Sequence, residues 1–151
     1  MGRLRIVVAL LLLGLGLALI GREKPPKPEP VICKPRVTVP QYPASPFEKE
    51  VIRLTNLERT SRGLQPLKVT EPLMRDAQKW SGVQASRTRM FHSKMGHGEN
   101  VAYGQRSPQE VMNAWMHSPG HRRNILNPRY RQIGVGAVSS GRSIYWTQCF
   151  E

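Results

Sequence analysis

The chain has 151 residues, which is room for one domain plus a targeting segment and excludes two full domains. Its hydrophobic fraction, 39%, is low, but the apolar residues recur at regular spacing, which excludes wholesale disorder. A net charge of +13 points to anionic partners such as a lipid surface or an anionic envelope polymer; nucleic acid is excluded as a partner, because the basic residues are scattered and the leader carries the chain away from it.

That leader comes first in chain order. Arg3 and Arg5 precede an apolar run, Ile6 to Ile20, broken only by glycines. The run falls short of the roughly 20 residues that span a bilayer, so residues 1–21 read as a signal peptide. Ala18-Leu19-Ile20-Gly21 is a poor small-x-small cleavage site, which keeps a signal anchor as the alternative. Both readings place the protein outside the cytoplasm: secreted, periplasmic or envelope-attached. Prolines at 25, 26, 28, 30, 35, 40 and 43 then block helix and ladder, so 22–45 is a proline-rich linker of extended character. Cys33 in that linker and Cys149 near the end permit one disulfide in an exported chain. The alternative is two separate thiols, with Cys149 packed as a small apolar residue.

The folded domain is expected over 46–151. Ser45-Pro46-Phe47-Glu48 is a capping box with proline at the first helical position. Phe47, Val51, Leu54 and Leu57 follow at helical spacing, and Gly63 suits the exit. A second helix is expected after Thr70, with Leu73, Ala77 and Trp80 on its buried face. Ser107-Pro108-Gln109-Glu110 repeats the capping signature for a third helix, which carries Val111, Ala114 and Trp115 and ends at Pro119-Gly120. The period then changes to two. Ile133, Val135 and Ala137 alternate with glycines, and after the turn at 139–142 Ile144, Trp146, Gln148 and Phe150 alternate with Tyr145, Thr147 and Cys149. That is a β-hairpin, and the fold class is α+β, with helices packed on a small antiparallel sheet.

All four histidines, His92, His97, His117 and His121, fall in the turn-rich stretch that also holds Glu99. Imidazole and carboxylate are zinc ligands and also the groups that move protons near neutral pH. Pro119-Gly120 separates His117 from His121, so the two do not share a helix face. His97 and His117 read as exposed loop residues.

These residues form an ordered set of motifs. Met90-Phe91-His92, Gly98-Glu99-Asn100-Val101-Ala102, the run from Trp115 to Pro128, Ile133-Gly134-Val135-Gly136 and Tyr145-Trp146-Thr147-Gln148 resemble the CAP superfamily. That family comprises the cysteine-rich secretory, antigen 5 and pathogenesis-related class 1 proteins, and the likeness is to its bacterial, SCP-like branch. Asn56-Leu57-Glu58-Arg59 matches the family's Asn-x-x-Arg pattern. The resemblance covers about residues 47–151 and implies an α-β-α sandwich with a cavity over the sheet. It implies that His92, Glu99 and His121 line that cavity. The family's second glutamate is replaced by Ser118, and Asn124 stands where many members have glutamine. Asn56 and Asn100 match structural hydrogen-bonding positions.

Two functions from different classes follow. The first is a non-catalytic binding module for lipid, envelope or protein ligands, since family members are linked to sterols, other lipids and partner proteins. The second is a secreted, metal-assisted hydrolase working through the same cavity, with zinc on His92 and His121. Ser118 as a hydrolase nucleophile lacks a Gly-x-Ser-x-Gly elbow around it.

Overall fold

A computed structural model describes residues 44–151. The leader at 1–21, the linker up to residue 43 and Cys33 lie outside the described residues. In chain order the elements are α1 (Pro46–Thr60), β1 (Lys68–Val69), α2 (Glu71–Ser86), β2 (Gly98–Tyr103), α3 (Pro108–His117), α4 (Pro119–Ile125), β3 (Gln132–Ser140) and β4 (Ser143–Phe150). Among the described residues no helix is long and apolar enough to cross a membrane.

The expected hairpin is the centre of the sheet. β3 and β4 pair antiparallel through the turn at Gly141-Arg142, with Ser140 opposite Ser143 and Ile133 opposite Phe150. β2 joins the far edge of β4, also antiparallel. β1 adds two residues in parallel beside β3, giving the order β1-β3-β4-β2. Side chains on β4 alternate between two layers, as a strand requires. Thr147 meets Ser81 and Gln84 of α2, whereas Gln148 meets Thr55 of α1. Helix α2 therefore covers one face, and α1, α3 and α4 cover the other.

Glycines bring α2 onto β3. A Cβ on Gly134 would stand 2.0 Å from the Leu73 carbonyl carbon, and one on Gly136 would stand 2.3 Å from the Ala77 oxygen. The alternation of glycine with Ile133 and Val135 thus marks the strand face on which a helix backbone rests. Cys149 packs on this side with Leu73 and Ala77. Its thiol is buried, and burial pushes its pKa up to about 12, so it is a poor nucleophile.

The capping box forms as expected: Glu48 N–H donates to Ser45 Oγ, and Ser45 N–H donates to Glu48 Oε2. The buried face of α1 is different from the expected one. Phe47 is 41% exposed and Leu57 54% exposed, while Glu48, Thr55, Asn56 and Arg59 turn inward beside Val51 and Ile52. Polar pairing decides this rotation. Asn56 bonds both backbone groups of Leu67, at 3.0 and 2.8 Å. Arg59 is fully buried and donates to the carbonyls of Gln65, Ile125, Asn127 and Tyr130, at 2.7 to 3.2 Å.

Pro119-Gly120 does not end helical structure. The chain breaks at Ser118, and Pro119 opens α4, because proline's fixed φ and missing N–H suit a first helical turn. Strand β2 is an addition to the expected elements; its sequence, Gly98 to Tyr103, has no clean alternation to mark it.

Candidate functional site

Three elements place the site. His92 lies in the loop between α2 and β2, Glu99 is the second residue of β2, and His121 is in α4. Two contacts from α2 hold the loop. Phe91 N–H donates to Gln84 Oε1 at 3.3 Å, and Trp80 Nε1–H donates to the Phe91 carbonyl at 2.9 Å. The Trp80 and Phe91 rings meet edge to face, with centroids 4.9 Å apart. His92 follows directly. Its Nδ1 is 2.7 Å from Glu99 Oε1, which also accepts from Ser93 N–H at 2.9 Å.

Glu99 and His92 differ sharply in exposure. The Glu99 side chain is 7% accessible and the His92 ring 62%. Glu99 Oε2 is buried and accepts no hydrogen bond from the protein. A buried carboxylate oxygen left this way costs about 1–3 kcal/mol relative to a paired one. It is the unpaired acceptor of the site.

His121 completes the group. Burial first, and then the neighbouring charge of His92, pushes its pKa below the ordinary value. Its imidazole is therefore held neutral near neutral pH, with a lone pair to offer. The consequence for stability has a definite sign. Above the unfolded value of about 6.5 the ring is neutral in both states. As pH falls below it, the unfolded chain takes a proton that the folded chain resists, so stability declines until the folded pKa is passed. The variant His121→Asn should flatten the decline in urea-denaturation midpoint that sets in as pH falls below about 6.5. An unchanged slope would assign the proton uptake to another group.

Beneath these side chains runs a buried polar network. Asn124 Nδ2 donates to the Glu99 carbonyl at 3.0 Å and to Asn100 Oδ1 at 2.9 Å. Asn100 Nδ2 donates to the His121 carbonyl at 3.1 Å and to Gln148 Oε1 at 3.0 Å, and Gln148 Nε2 donates to Thr55 Oγ1 at 2.8 Å. The network fixes β2 against α4, and so Glu99 against His121. Gln148 and Thr55 are members that sequence reasoning missed. The only trace of Gln148 in the sequence is a polar residue among the apolar inward positions of β4.

The remaining candidates lie elsewhere or do less. Ser118 ends α3 and precedes α4; its hydroxyl makes no capping bond to α4. His97 is not an exposed loop residue. It is 18% accessible, with Nε2 3.0 Å from Asp76 Oδ2 and Nδ1 3.0 Å from Glu151 Oε1, which anchors the start of β2 to α2 and to the chain's last residue. His117 is exposed on the last turn of α3, where its Nδ1 donates to the Asn113 carbonyl at 2.8 Å.

For zinc, the donors fit in kind but not in number. Among the described residues no three His, Cys, Asp or Glu side chains are grouped to hold a metal. Glu99 Oε1 is committed to His92 and Ser93, which leaves two imidazoles.

Comparison with known proteins gives the family and the fold. The model of the cysteine-rich secretory protein family, CAP, matches residues 52–150. The protein YkwD of Bacillus subtilis (strain 168) is 41% identical over 123 residues, covering 70% of this chain and 47% of the relative. The membrane protein YlbC of the same organism is 31% identical over 120 residues, covering 68% and 34%. The chain thus spans less than half the length of these curated relatives. Among solved structures, an extracellular SCP-domain protein from Bacillus anthracis str. Ames aligns with a TM-score of 0.63 at 22% identity, covering 72% of this chain and 44% of that one. An outer surface protein from Borrelia burgdorferi aligns with a TM-score of 0.61 at 18% identity, covering 68% and 90%. At these identities the structures show a shared fold.

Proposed function

The chain belongs to the cysteine-rich secretory protein family, CAP, and from that premise we propose that it is an exported, non-catalytic binding module whose ligand sits against His92, Glu99 and His121. The observation that supports this reading is Glu99 Oε2, a buried acceptor with no donor from the protein. A ligand hydroxyl, amine or cation placed there would gain a charge-assisted bond. His121, whose pKa burial and the neighbouring His92 push down, offers a neutral imidazole near His92 as a second acceptor. A lipid or envelope component bearing hydroxyls fits these groups, and so does a protein side chain. Export rests on the leader and on the extracellular and outer-surface relatives of the fold.

The hydrolase reading has less support. A serine nucleophile needs a base within hydrogen-bond reach, and among the described residues Ser118 shares no hydrogen bond with a histidine. A metal-assisted route meets the same shortfall, because two imidazoles are fewer than the three protein ligands of a catalytic zinc site, and Glu99 Oε1 is taken by His92 and Ser93.

His92→Ala tests whether the cluster binds or merely braces. The ring is 62% exposed, and Ser93 N–H keeps the same Glu99 oxygen paired. The variant should therefore lose under about 1 kcal/mol of stability. Mass spectrometry of the full chain recovered from envelope and medium should find a ligand on the wild type that is lost from His92→Ala. A large drop in melting temperature, with no ligand on either form, would reduce the cluster to scaffold. Ester turnover abolished in His92→Ala would instead favour the hydrolase.

Export has its own readout. N-terminal sequencing of the mature protein should begin between about Ala18 and Lys27, where the apolar run gives way to the linker. Recovery of Met1 on a membrane-bound form would replace cleavage with a signal anchor.

A further inference from the structure

The layer of α1, α3 and α4 carries a second recess, separate from the His92 site. One cleft, of about 610 Å³, is lined by α4 and the chain after it; another, of about 540 Å³, lies between α1 and α3. They share Met116, His117 and Arg122, so they form one continuous trough. Each helix supplies one stripe at helical spacing: Leu54, Leu57 and Glu58 from α1, Gln109, Met112, Asn113 and Met116 from α3, and Pro119, Arg122 and Arg123 from α4. On α1, Leu54 is partly buried against the core, and Leu57, one turn further on, is left outside it. Leu57 is 54% exposed, although its place in the pattern predicts burial.

The trough is cationic as well as apolar. From Val111 to Phe150 the chain carries five arginines and no aspartate or glutamate, and Arg122 and Arg123 project from that stretch into the recess. Glu58, the only carboxylate among the lining residues, is tied to Arg62. Amide side chains are spaced along the wall, with Asn113 on α3 and Asn127 after α4. An acyl chain has no use for them, whereas a polypeptide backbone presents donors and acceptors at every residue. The ten residues of α3 run about 15 Å at 1.5 Å per residue, the length of four or five extended residues.

We propose that this trough docks an extended, acidic polypeptide segment of a partner protein, with its carboxylates on Arg122 and Arg123 and its apolar side chains on Leu57 and Met116. Charge complementarity selects the acidic partner, and the amide-lined wall selects a peptide over a lipid. The interaction is independent of the His92 site.

The test uses the full chain and a fluorescein-labelled probe of alternating glutamate and leucine, about eight residues long so that it overhangs α3 at both ends. Fluorescence anisotropy should show saturable binding that weakens as salt rises. The exposed double change Arg122→Glu with Arg123→Glu should lower affinity more than tenfold, and Leu57→Asp should do so without touching the arginines; thermal melts confirm that each variant is folded. His92→Ala should bind the probe as the wild type does, even where it has lost the ligand of the first site. Three results would each overturn the proposal: equal binding of a glutamine–leucine probe, unchanged affinity in both folded variants, or binding to phosphatidylglycerol vesicles with none to the peptide. The last would reassign the trough to an anionic lipid surface.

Discussion

Replacing Gly134 with alanine should cost more than about 3 kcal/mol, while the same chemical change at Gly82 should stabilise the protein by about 0.5–1 kcal/mol. Alanine in place of glycine removes backbone freedom from the unfolded chain, so with no obstacle it favours the folded state. Gly82 lies inside α2, and a Cβ there meets nothing within 4 Å. At Gly134 the new carbon would stand 2.0 Å from the Leu73 carbonyl carbon and 2.4 Å from Met74 N. Those atoms belong to the α2 backbone, which no rotamer change can relieve, so the helix must lift from the sheet. Lifting it would open the layer where Leu73, Ala77 and Cys149 are buried and where Ser81 and Gln84 bond Thr147. The loop would follow, because α2 holds Phe91 through Gln84 and Trp80. Urea denaturation of the two variants reads the difference directly. Destabilisation at Gly134 no greater than at an exposed strand position would mean that α2 is not seated on β3 as described.

The hairpin and the helix starts are legible in the sequence because their signals are local. Alternation from Ile133 to Phe150 and the capping signatures at Ser45 and Ser107 depend only on neighbours in sequence. The rotation of α1 is not legible by periodicity. Phe47, Leu54 and Leu57 satisfy the apolar spacing, but the face turned inward is fixed by partners far along the chain, such as Ile125 and Tyr130 for Arg59 and Gln148 for Thr55. Strand β2 lacks a pattern because its residues serve two tasks. Val101 and Ala102 are core, while Glu99 and Asn100 face the site and its network. The pairing of His92 with Glu99 comes from motif order, and the distance of 2.7 Å agrees with it. His97 escapes a sequence reading because Asp76 and Glu151, the groups that anchor it, are remote in sequence.

Arg59→Met should destabilise the domain by about 3–5 kcal/mol and disturb the His92 site through α4. The guanidinium is fully buried, and its bonds run to carbonyls, with no carboxylate among them. Burial, with Arg131 nearby, pushes its pKa down, yet arginine stays charged at any pH a protein tolerates. The charge is retained because the carbonyls of Gln65, Ile125, Asn127 and Tyr130 converge on one planar fork of donors. Methionine fills much of the volume but donates nothing, so the variant separates the loss of hydrogen bonds from the loss of packing. The stretch from Ile125, the last residue of α4, to Tyr130 holds three of the four carbonyls. Once released, α4 would lose its C-terminal tether and His121 its fixed distance from Glu99. Hydrogen exchange should therefore quicken at Leu126 and Tyr130 before it does in β4, and any ligand of the His92 site should bind more weakly. Arg59→Lys should recover only part of the stability, since a single ammonium has three donors and cannot span four carbonyls. If lysine restored stability in full, the requirement would be for a buried charge, and the four-way bridging of carbonyls would not be what holds α4 in place.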